Sequence, residues 1–239
     1  MEVKIMNSKA INEEIANTFI NTIKNKPNCV LGLATGSSPL GVYALLVEAC
    51  QKHQVSFKDV TTFNLDEYVN LDGEHNQSYR YFMNHNLFDH IDIKKENTHV
   101  PLGIGDVNKN AAEYDQQIEK AGGIDLQILG IGSNGHIAFN EPGTPLDSLT
   151  HIVALQDSTR KDNARFFNNI DEVPTHAITM GLASIMKAKK IVLIATGVNK
   201  AKAIAALVHG DVTTSLPVSV LKNHPDATIY VDDDAASLI

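Results

Sequence analysis

Short apolar segments alternate with longer amphipathic segments along most of this 239-residue sequence, and this alternation limits the possible folds more than any other feature. In residues 9–25 an apolar side chain recurs every four positions behind Ser8, which predicts an amphipathic helix with Ser8 as N-cap, ending before Pro27. The same patterns predict a first strand from about residue 2, helices at 40–52, 77–89, 111–120 and 200–208, and strands at 29–34, 61–65, 126–130, 152–155 and 190–196. Such an order predicts right-handed crossovers and an α/β fold whose mainly parallel sheet carries helices on both faces.

The composition is typical of one globular domain, which we expect to span residues 1–239. With 43% hydrophobic and 20% charged residues, the chain can bury a substantial core, and no linker or repeat marks a boundary. The net charge of -8 argues against a nucleic-acid surface or an anionic membrane surface. The sequence contains neither a signal-peptide pattern nor 18 consecutive apolar residues, so we expect a cytoplasmic protein.

Cysteine and histidine usage predicts no metal centre. Cys29 and Cys50 are too few for a disulfide framework and too isolated for zinc, so both are expected to be core thiols. None of the ten histidines forms a zinc-binding spacing. The acidic run 232–234 near the C-terminus is typical of a solvated surface.

Residues 130–142 place several reactive side chains directly after a predicted buried strand. Asn134, His136 and Glu141 follow a glycine-rich turn, and ligands of open α/β sheets bind beyond the carboxyl ends of the strands. A single histidine is more often a structural or surface residue than a catalyst. Here a carboxylate five residues later could orient the imidazole and select its tautomer, which favours proton transfer.

The turn between the second predicted strand and the next helix has the features of an anion site. Gly36 lets a ligand approach the backbone, while Ser37, Ser38 and the helix N-terminus offer hydroxyl and N–H groups. This signal is weak alone, because any strand-to-helix connection favours such residues, and it matches neither a P-loop nor a dinucleotide fingerprint. Arg165 and Lys200 could complete a phosphate site, or either could be an ordinary surface residue.

Two adjacent acids, Asp66 and Glu67, follow the strand at 61–65. Only one of them can point along the strand axis into a cleft, and a helix N-cap or a surface acid pair is the alternative interpretation. A carboxylate at the carboxyl end of a strand is well placed as a general base, particularly where partial burial raises its pKa.

Taken in order, these segments resemble the motifs of the glucosamine-6-phosphate deaminase family. They are Thr35–Pro39, Phe63–Tyr68, Gly132–Pro142 and Gly197–Lys200, with Ala164–Phe167 as a further similar stretch. The resemblance covers nearly the whole chain. It implies a Rossmann-like α/β fold and the conversion of glucosamine 6-phosphate and water to fructose 6-phosphate and ammonia in amino-sugar catabolism, without a cofactor or an obligatory metal.

The resemblance also assigns roles to individual residues. It implies that Asp66 takes the proton from C2 of the opened sugar and returns it at C1, and that His136 opens the ring, supported by Asn134 and Glu141. The residues it implies for binding the substrate phosphate are Gly36, Ser37, Ser38, Arg165 and Lys200. A segment at about 155–175 is expected to act as a lid over the small-molecule sugar phosphate.

Two departures from the family pattern affect these expectations. Many members have aspartate where this chain has Asn134, so His136 has one fewer negative neighbour. The segment 150–154 lacks the basic residues that allosterically activated members carry, and the tail of those members is longer. We therefore expect little or no activation by N-acetylglucosamine 6-phosphate, and a monomer or small homo-oligomer.

Two other functions remain open at this point. A 6-phosphogluconolactonase-like hydrolase would share the fold and would also have to bind a sugar phosphate. It would need no base at C2, so the motif Phe63–Tyr68 favours the deaminase. A non-catalytic sugar-phosphate sensor would need a DNA-reading module, and a first strand starting near residue 2 leaves no room for one before it. Such a sensor would also have no need for both Asp66 and His136.

Overall fold

A computed structural model describes residues 1–156, 160–161, 164, 167 and 169–239. Within these residues a seven-stranded sheet, parallel throughout, forms the centre of the molecule in the order β1-β10-β9-β6-β2-β3-β5, and a second sheet has the order β4-β8-β7. The strands are β1 Glu2–Ile5, β2 Val30–Leu33, β3 Thr61–Asn64, β4 Asp66–Tyr68, β5 Thr98–His99, β6 Leu126–Leu129, β7 His151–Ala154, β8 His176–Thr179, β9 Ile191–Ala195 and β10 Ala227–Val231.

Helices cover both faces of the large sheet, as predicted. They are α1 Ser8–Asn25, α2 Leu40–Gln51, α3 Tyr79–Asn86, α4 Val107–Lys120, α5 Leu182–Met186 and α6 Ala201–His209. Every residue of β2, β6, β9 and β10 is buried, because a parallel sheet with two covered faces needs continuous apolar strands. None of the described helices combines the length and the apolar character needed to cross a membrane.

Helix α1 shows how the local pattern produces an element. Its buried positions include Ile11, Ile15 and Phe19, the residues whose spacing predicted the helix. The predicted N-cap, Ser8, is wrong by one residue. Asn7 has the extended backbone of a cap, and its side chain accepts a hydrogen bond from the Ala10 N–H at 2.9 Å, so Ser8 is already the first helical residue.

The antiparallel sheet β4-β8-β7 was not predicted from the sequence. In it Asp66 pairs with Thr179 and Tyr68 with Ala177. A three-residue strand rich in acids carries no apolar period, and its structure depends on distant partner strands. The chain therefore leaves the large sheet after Asn64 and enters the second sheet at Asp66, which places this carboxyl at the junction of the two sheets.

Both cysteines are core thiols, as predicted. Cys29 and Cys50 are buried and free. Burial raises the pKa of Cys29 to about 12, so its thiol stays protonated and unreactive at neutral pH.

Candidate active site

A cavity of about 910 Å³ lies beyond the carboxyl ends of β2, β3, β6 and β9. The structure brings most of the predicted site residues to its wall: Gly36, Ser37, Ser38, Asp66, His136 and Lys200. Asn134 accepts a hydrogen bond from the His136 backbone, and Glu141 lies close to the His136 imidazole. Arg165 lies outside the described residues. The cavity therefore lies where the sequence predicted, at the strand ends that bind ligands in open α/β sheets.

The anion cradle is the turn that joins β2 to α2. Gly36 has φ +87°, and a Cβ there would meet no atom within 4 Å, so the backbone conformation is what requires glycine. The buried Tyr43 hydroxyl holds the start of this turn, accepting from the Ala34 N–H at 3.1 Å and donating to the Ala34 carbonyl at 2.7 Å. The N-terminus of α2 and the serines at 37 and 38 then face the cavity, an arrangement suited to a phosphate.

The turn that carries Lys200 is held by Asp232. Gly197, with φ +88°, donates its N–H to both carboxylate oxygens of Asp232 at 3.0 Å. Asp232 also accepts from the Ala235 N–H at 2.8 Å. The expectation of a solvated acidic run is therefore wrong for Asp232, although Asp233 and Asp234 are exposed. This carboxylate fixes the turn that brings Lys200 to the cavity wall.

The adjacent acids Asp66 and Glu67 have different roles, and each fits one of the two interpretations drawn from the sequence. The buried Glu67 carboxylate accepts the backbone N–H groups of Tyr68, Tyr79 and Arg80, each at 2.9 Å, and so binds the first turn of α3. Asp66 lies one residue earlier on β4, points to the opposite face and lines the cavity. Glu67 therefore has the helix-terminal role, and Asp66 has the position of a general base.

Aromatic rings enclose the Asp66 carboxyl. Tyr68 and Phe139 line the cavity with it, and Tyr79 packs on both, with ring centroids 4.9 Å and 6.0 Å away. Asp66 is only 6% exposed. Burial, and secondarily the negative charge of Glu67, raises the pKa of Asp66 to about 8. A cavity-facing carboxyl with so high a pKa is typical of a catalytic base.

His136, Asn134 and Glu141 form a connected group. The Nδ1 atom of His136 lies 3.5 Å from Oε1 of Glu141, a close ion-pair distance that is longer than a full hydrogen bond. The other carboxylate oxygen of Glu141 accepts from Asn134 Nδ2 at 2.7 Å, and Asn134 Oδ1 accepts from the His136 N–H at 3.2 Å. The predicted carboxylate partner of His136 is thus in place, and Asn134 connects the histidine backbone to that carboxylate.

The imidazole of His136 lies against the bare backbone of Gly132. A Cβ at Gly132 would come within 2.3–2.5 Å of three ring atoms of His136. We predict that Gly132→Ala displaces the imidazole and lowers kcat about 100-fold, since a misplacement of about 1 Å can cost that much. Steady-state kinetics with glucosamine 6-phosphate, the substrate that the family resemblance implies, would measure the loss.

The matched control for this change is Gly73→Ala. The nearest atom to its new Cβ is Arg80 Cγ at 3.2 Å, a contact that needs a shift of only a few tenths of an ångström, and neither residue lines the cavity. We expect this variant to keep kcat within about twofold of the parent. Full activity of Gly132→Ala would contradict the assigned contact between ring and backbone.

The aromatic rings around Asp66 and one cation were not among the site residues predicted from the sequence. Tyr68 could have been found, because residues two apart on a strand share a face, and Tyr68 therefore lies on the side of Asp66. Phe139 and Lys161 also line the cavity. Neither has a local sequence signal that predicts this, since both positions depend on distant contacts.

Comparisons with known proteins identify the family to which the chain belongs. The family model described as glucosamine-6-phosphate isomerases/6-phosphogluconolactonase matches residues 5–230. A glucosamine-6-phosphate deaminase of Thermoanaerobacter pseudethanolicus is 55% identical over 98% of this chain and 93% of its own. The corresponding protein of Mycoplasma mycoides subsp. mycoides is 52% identical, covering 98% and 96%.

Solved structures give the same result. A structure described as a monomeric glucosamine-6-phosphate deaminase superposes with a TM-score of 0.97 at 42% identity, covering 100% of both chains. The 6-phosphogluconolactonase of Thermotoga maritima superposes with a TM-score of 0.77 at 20% identity, covering 97% of this chain and 99% of its own, which shows a shared fold alone. This chain is a member of the glucosamine-6-phosphate isomerase/6-phosphogluconolactonase family.

Proposed function

We propose that this protein converts glucosamine 6-phosphate and water to fructose 6-phosphate and ammonia, a step of amino-sugar catabolism. The observation that carries the proposal is the buried carboxyl of Asp66, which shares one cavity with His136 and with the anion cradle at residues 36–38. Relatives named as glucosamine-6-phosphate deaminases, 50–55% identical, support it. Because the net reaction consumes water and breaks a C–N bond, we also class it as a hydrolysis combined with aldose–ketose isomerisation.

The reaction begins with opening of the sugar ring, which we assign to His136. A proton must pass from the C1 hydroxyl to the ring oxygen as the C1–O5 bond breaks, and this leaves an aldehyde at C1. An imidazole can accept the first proton and donate one to the leaving oxygen. We assign to the Glu141 carboxylate, 3.5 Å from Nδ1, the orientation of the imidazole and the choice of its tautomer.

Proton transfer between C2 and C1 follows, and we assign it to Asp66. The aldehyde acidifies C2, so the carboxylate removes that proton while the C2 electrons form a C1–C2 double bond and the aldehyde oxygen takes up a proton from solvent. Returning the first proton to C1 leaves a protonated imine at C2. Water adds to this imine and ammonia leaves, which gives the ketone of fructose 6-phosphate.

The phosphate takes no part in the chemistry but holds the reacting carbons against Asp66. We assign its binding to Gly36, Ser37, Ser38 and Lys200, with Arg165 as a further ligand that lies outside the described residues. Binding energy from a remote group can position the reacting one. We also propose that residues of about 155–175 close over the cavity, since Lys161 and Phe167 of this segment line it.

The raised pKa of Asp66 predicts a distinct pH profile. Only the ionised carboxylate accepts a proton, so kcat/KM should rise with pH and level off above about pH 8. Glu67→Gln removes the neighbouring negative charge that contributes to the raised pKa, so its profile should shift to lower pH. The pKa values of the free sugar phosphate are measured separately, and their contribution is removed from the kcat/KM profile. A limb near pH 4, where an ordinary carboxyl titrates, would contradict the raised pKa of Asp66.

Ammonia release from glucosamine 6-phosphate, with unphosphorylated glucosamine as control, is the experiment that tests the function. Acid release from 6-phosphogluconolactone is assayed in parallel. We expect ammonia only from the phosphorylated amino sugar and no lactone hydrolysis. Lactone hydrolysis without ammonia would favour the lactonase, and tight sugar-phosphate binding with neither product would favour a sensor.

Other features of the protein follow from the same proposal. We propose one catalytic domain over residues 1–239, acting in the cytoplasm, where phosphorylated sugars are produced and retained. Strand β7, His151–Ala154, carries no lysine or arginine. We therefore propose little or no activation by N-acetylglucosamine 6-phosphate, and a monomer or small homo-oligomer.

A further inference from the structure

The carboxyl end of β8 contacts the backbone on both sides of the active site. On one side Thr179 pairs with Asp66 in the antiparallel register of β4 and β8. The next residue, Met180, donates its N–H to the Leu65 carbonyl at 2.7 Å. The backbone that carries the proposed base is thus held by the last residue of this strand and by the residue that follows it.

On the other side the same two residues hold the loop that carries His136. The Thr179 hydroxyl oxygen accepts from the Phe139 N–H at 3.1 Å. The Met180 carbonyl accepts from Asn140 Nδ2 at 2.8 Å, and that amide nitrogen also donates to the Ile137 carbonyl at 3.0 Å. Thr179 and Asn140 are both fully buried, so water does not compete for these bonds.

The loop held in this way contains a strained residue. Ala138 has φ +51°, a left-handed conformation that L residues other than glycine rarely adopt. Such a conformation persists only where the surroundings enforce it. The hydrogen bonds to the Ile137 carbonyl and the Phe139 N–H lie directly before and after Ala138.

We propose that Thr179 and Asn140 are positioning residues that fix the Asp66 carboxyl and the His136 imidazole relative to each other. This inference rests on the proposed function, in which both groups act in turn on neighbouring atoms of one sugar. Neither residue touches the substrate in this account. Thr179 is the central connection, since it pairs with the strand of the base and accepts from the loop of the histidine.

The test compares Thr179→Ser with Thr179→Ala. Both variants lose the γ-methyl group, and only serine keeps the hydroxyl. Their difference therefore isolates the hydroxyl contacts, which are the hydrogen bond from the Phe139 N–H at 3.1 Å and a longer one to the Met180 carbonyl at 3.4 Å. We expect Thr179→Ala to have a kcat about 30-fold to 100-fold below that of Thr179→Ser, with KM values within about threefold of each other. If Thr179→Ala does not fold, Thr179→Val compared with the parent gives the same information.

Thr62→Val is the matched control. Thr62 is a buried strand threonine whose hydroxyl has no hydrogen-bond partner among the described residues, and it does not line the cavity. We expect it to retain kcat within about twofold. Equal kcat values for the serine and alanine variants, or an equally large loss in Thr62→Val, would overturn the inference.

Amide hydrogen exchange at Phe139 gives a readout that does not depend on catalysis. Exchange should be faster in Thr179→Ala than in Thr179→Ser, and equal rates would overturn the inference even in an inactive protein. Absence of ammonia from the parent protein would instead count against the proposed function. The two failures are therefore distinguishable.

Discussion

Asp66→Asn is expected to lower ammonia release about 10²- to 10⁴-fold, the usual contribution of a positioned general base. Asparagine has nearly the shape of aspartate but cannot accept the C2 proton. Incorporation of solvent deuterium at C2 should fall by the same factor. Affinity for the sugar phosphate should change little, because the phosphate cradle at residues 36–38 belongs to another turn. Ammonia assay, proton NMR and calorimetric titration measure the three quantities.

Asp72→Asn is the matched control for this loss. Asp72 is an exposed acid beyond the cavity wall, and its side chain accepts from the Glu74 N–H at 2.8 Å. We expect it to keep full activity. Continued deuterium incorporation at C2 by the Asp66 variant would show that another group removes the proton.

His136→Gln is expected to cause a loss of about 10²-fold or more with the cyclic substrate. Glutamine can still hydrogen-bond to Glu141 but cannot carry a proton between the C1 hydroxyl and the ring oxygen. The 5-deoxy analogue of the substrate cannot close the six-membered ring. The loss should be partly relieved with this analogue, and steady-state kinetics with both compounds measures the difference.

The control for this prediction is His209→Gln, an exposed histidine at the end of α6. We expect no change with either compound. Equal damage to both substrates by the His136 variant would mean that the imidazole does more than open the ring.

Most of the large sheet and its helices could be predicted because local patterns determine them, although β5, β10 and α5 were not among the predicted elements. The apolar spacing of α1 and the continuous apolar strands β2, β6 and β9 are visible without a structure. The second sheet could not be predicted in this way. Strand β4 contains two acids and a tyrosine, and only its pairing with β8 makes it a strand.

The candidate site shows the same division. The residues that face the cavity follow strands whose ends converge, so their proximity was predictable. The residue types alone did not decide between Asp66 and Glu67, because the two carboxyls have the same chemistry and the strand register determines which one faces the cavity. Only the family resemblance pointed to Asp66. Tyr79 and Thr179 contribute through contacts that are distant in sequence, and local patterns carry no such information.

The most direct test of the account is a crystal structure with the non-reactive open-chain alcohol obtained by reducing the substrate aldehyde. We predict its phosphate on the backbone N–H groups of residues 36–38 and near Lys200, with C2 facing the Asp66 carboxyl within about 3.5 Å. A phosphate bound elsewhere, with C2 remote from Asp66, would contradict the account.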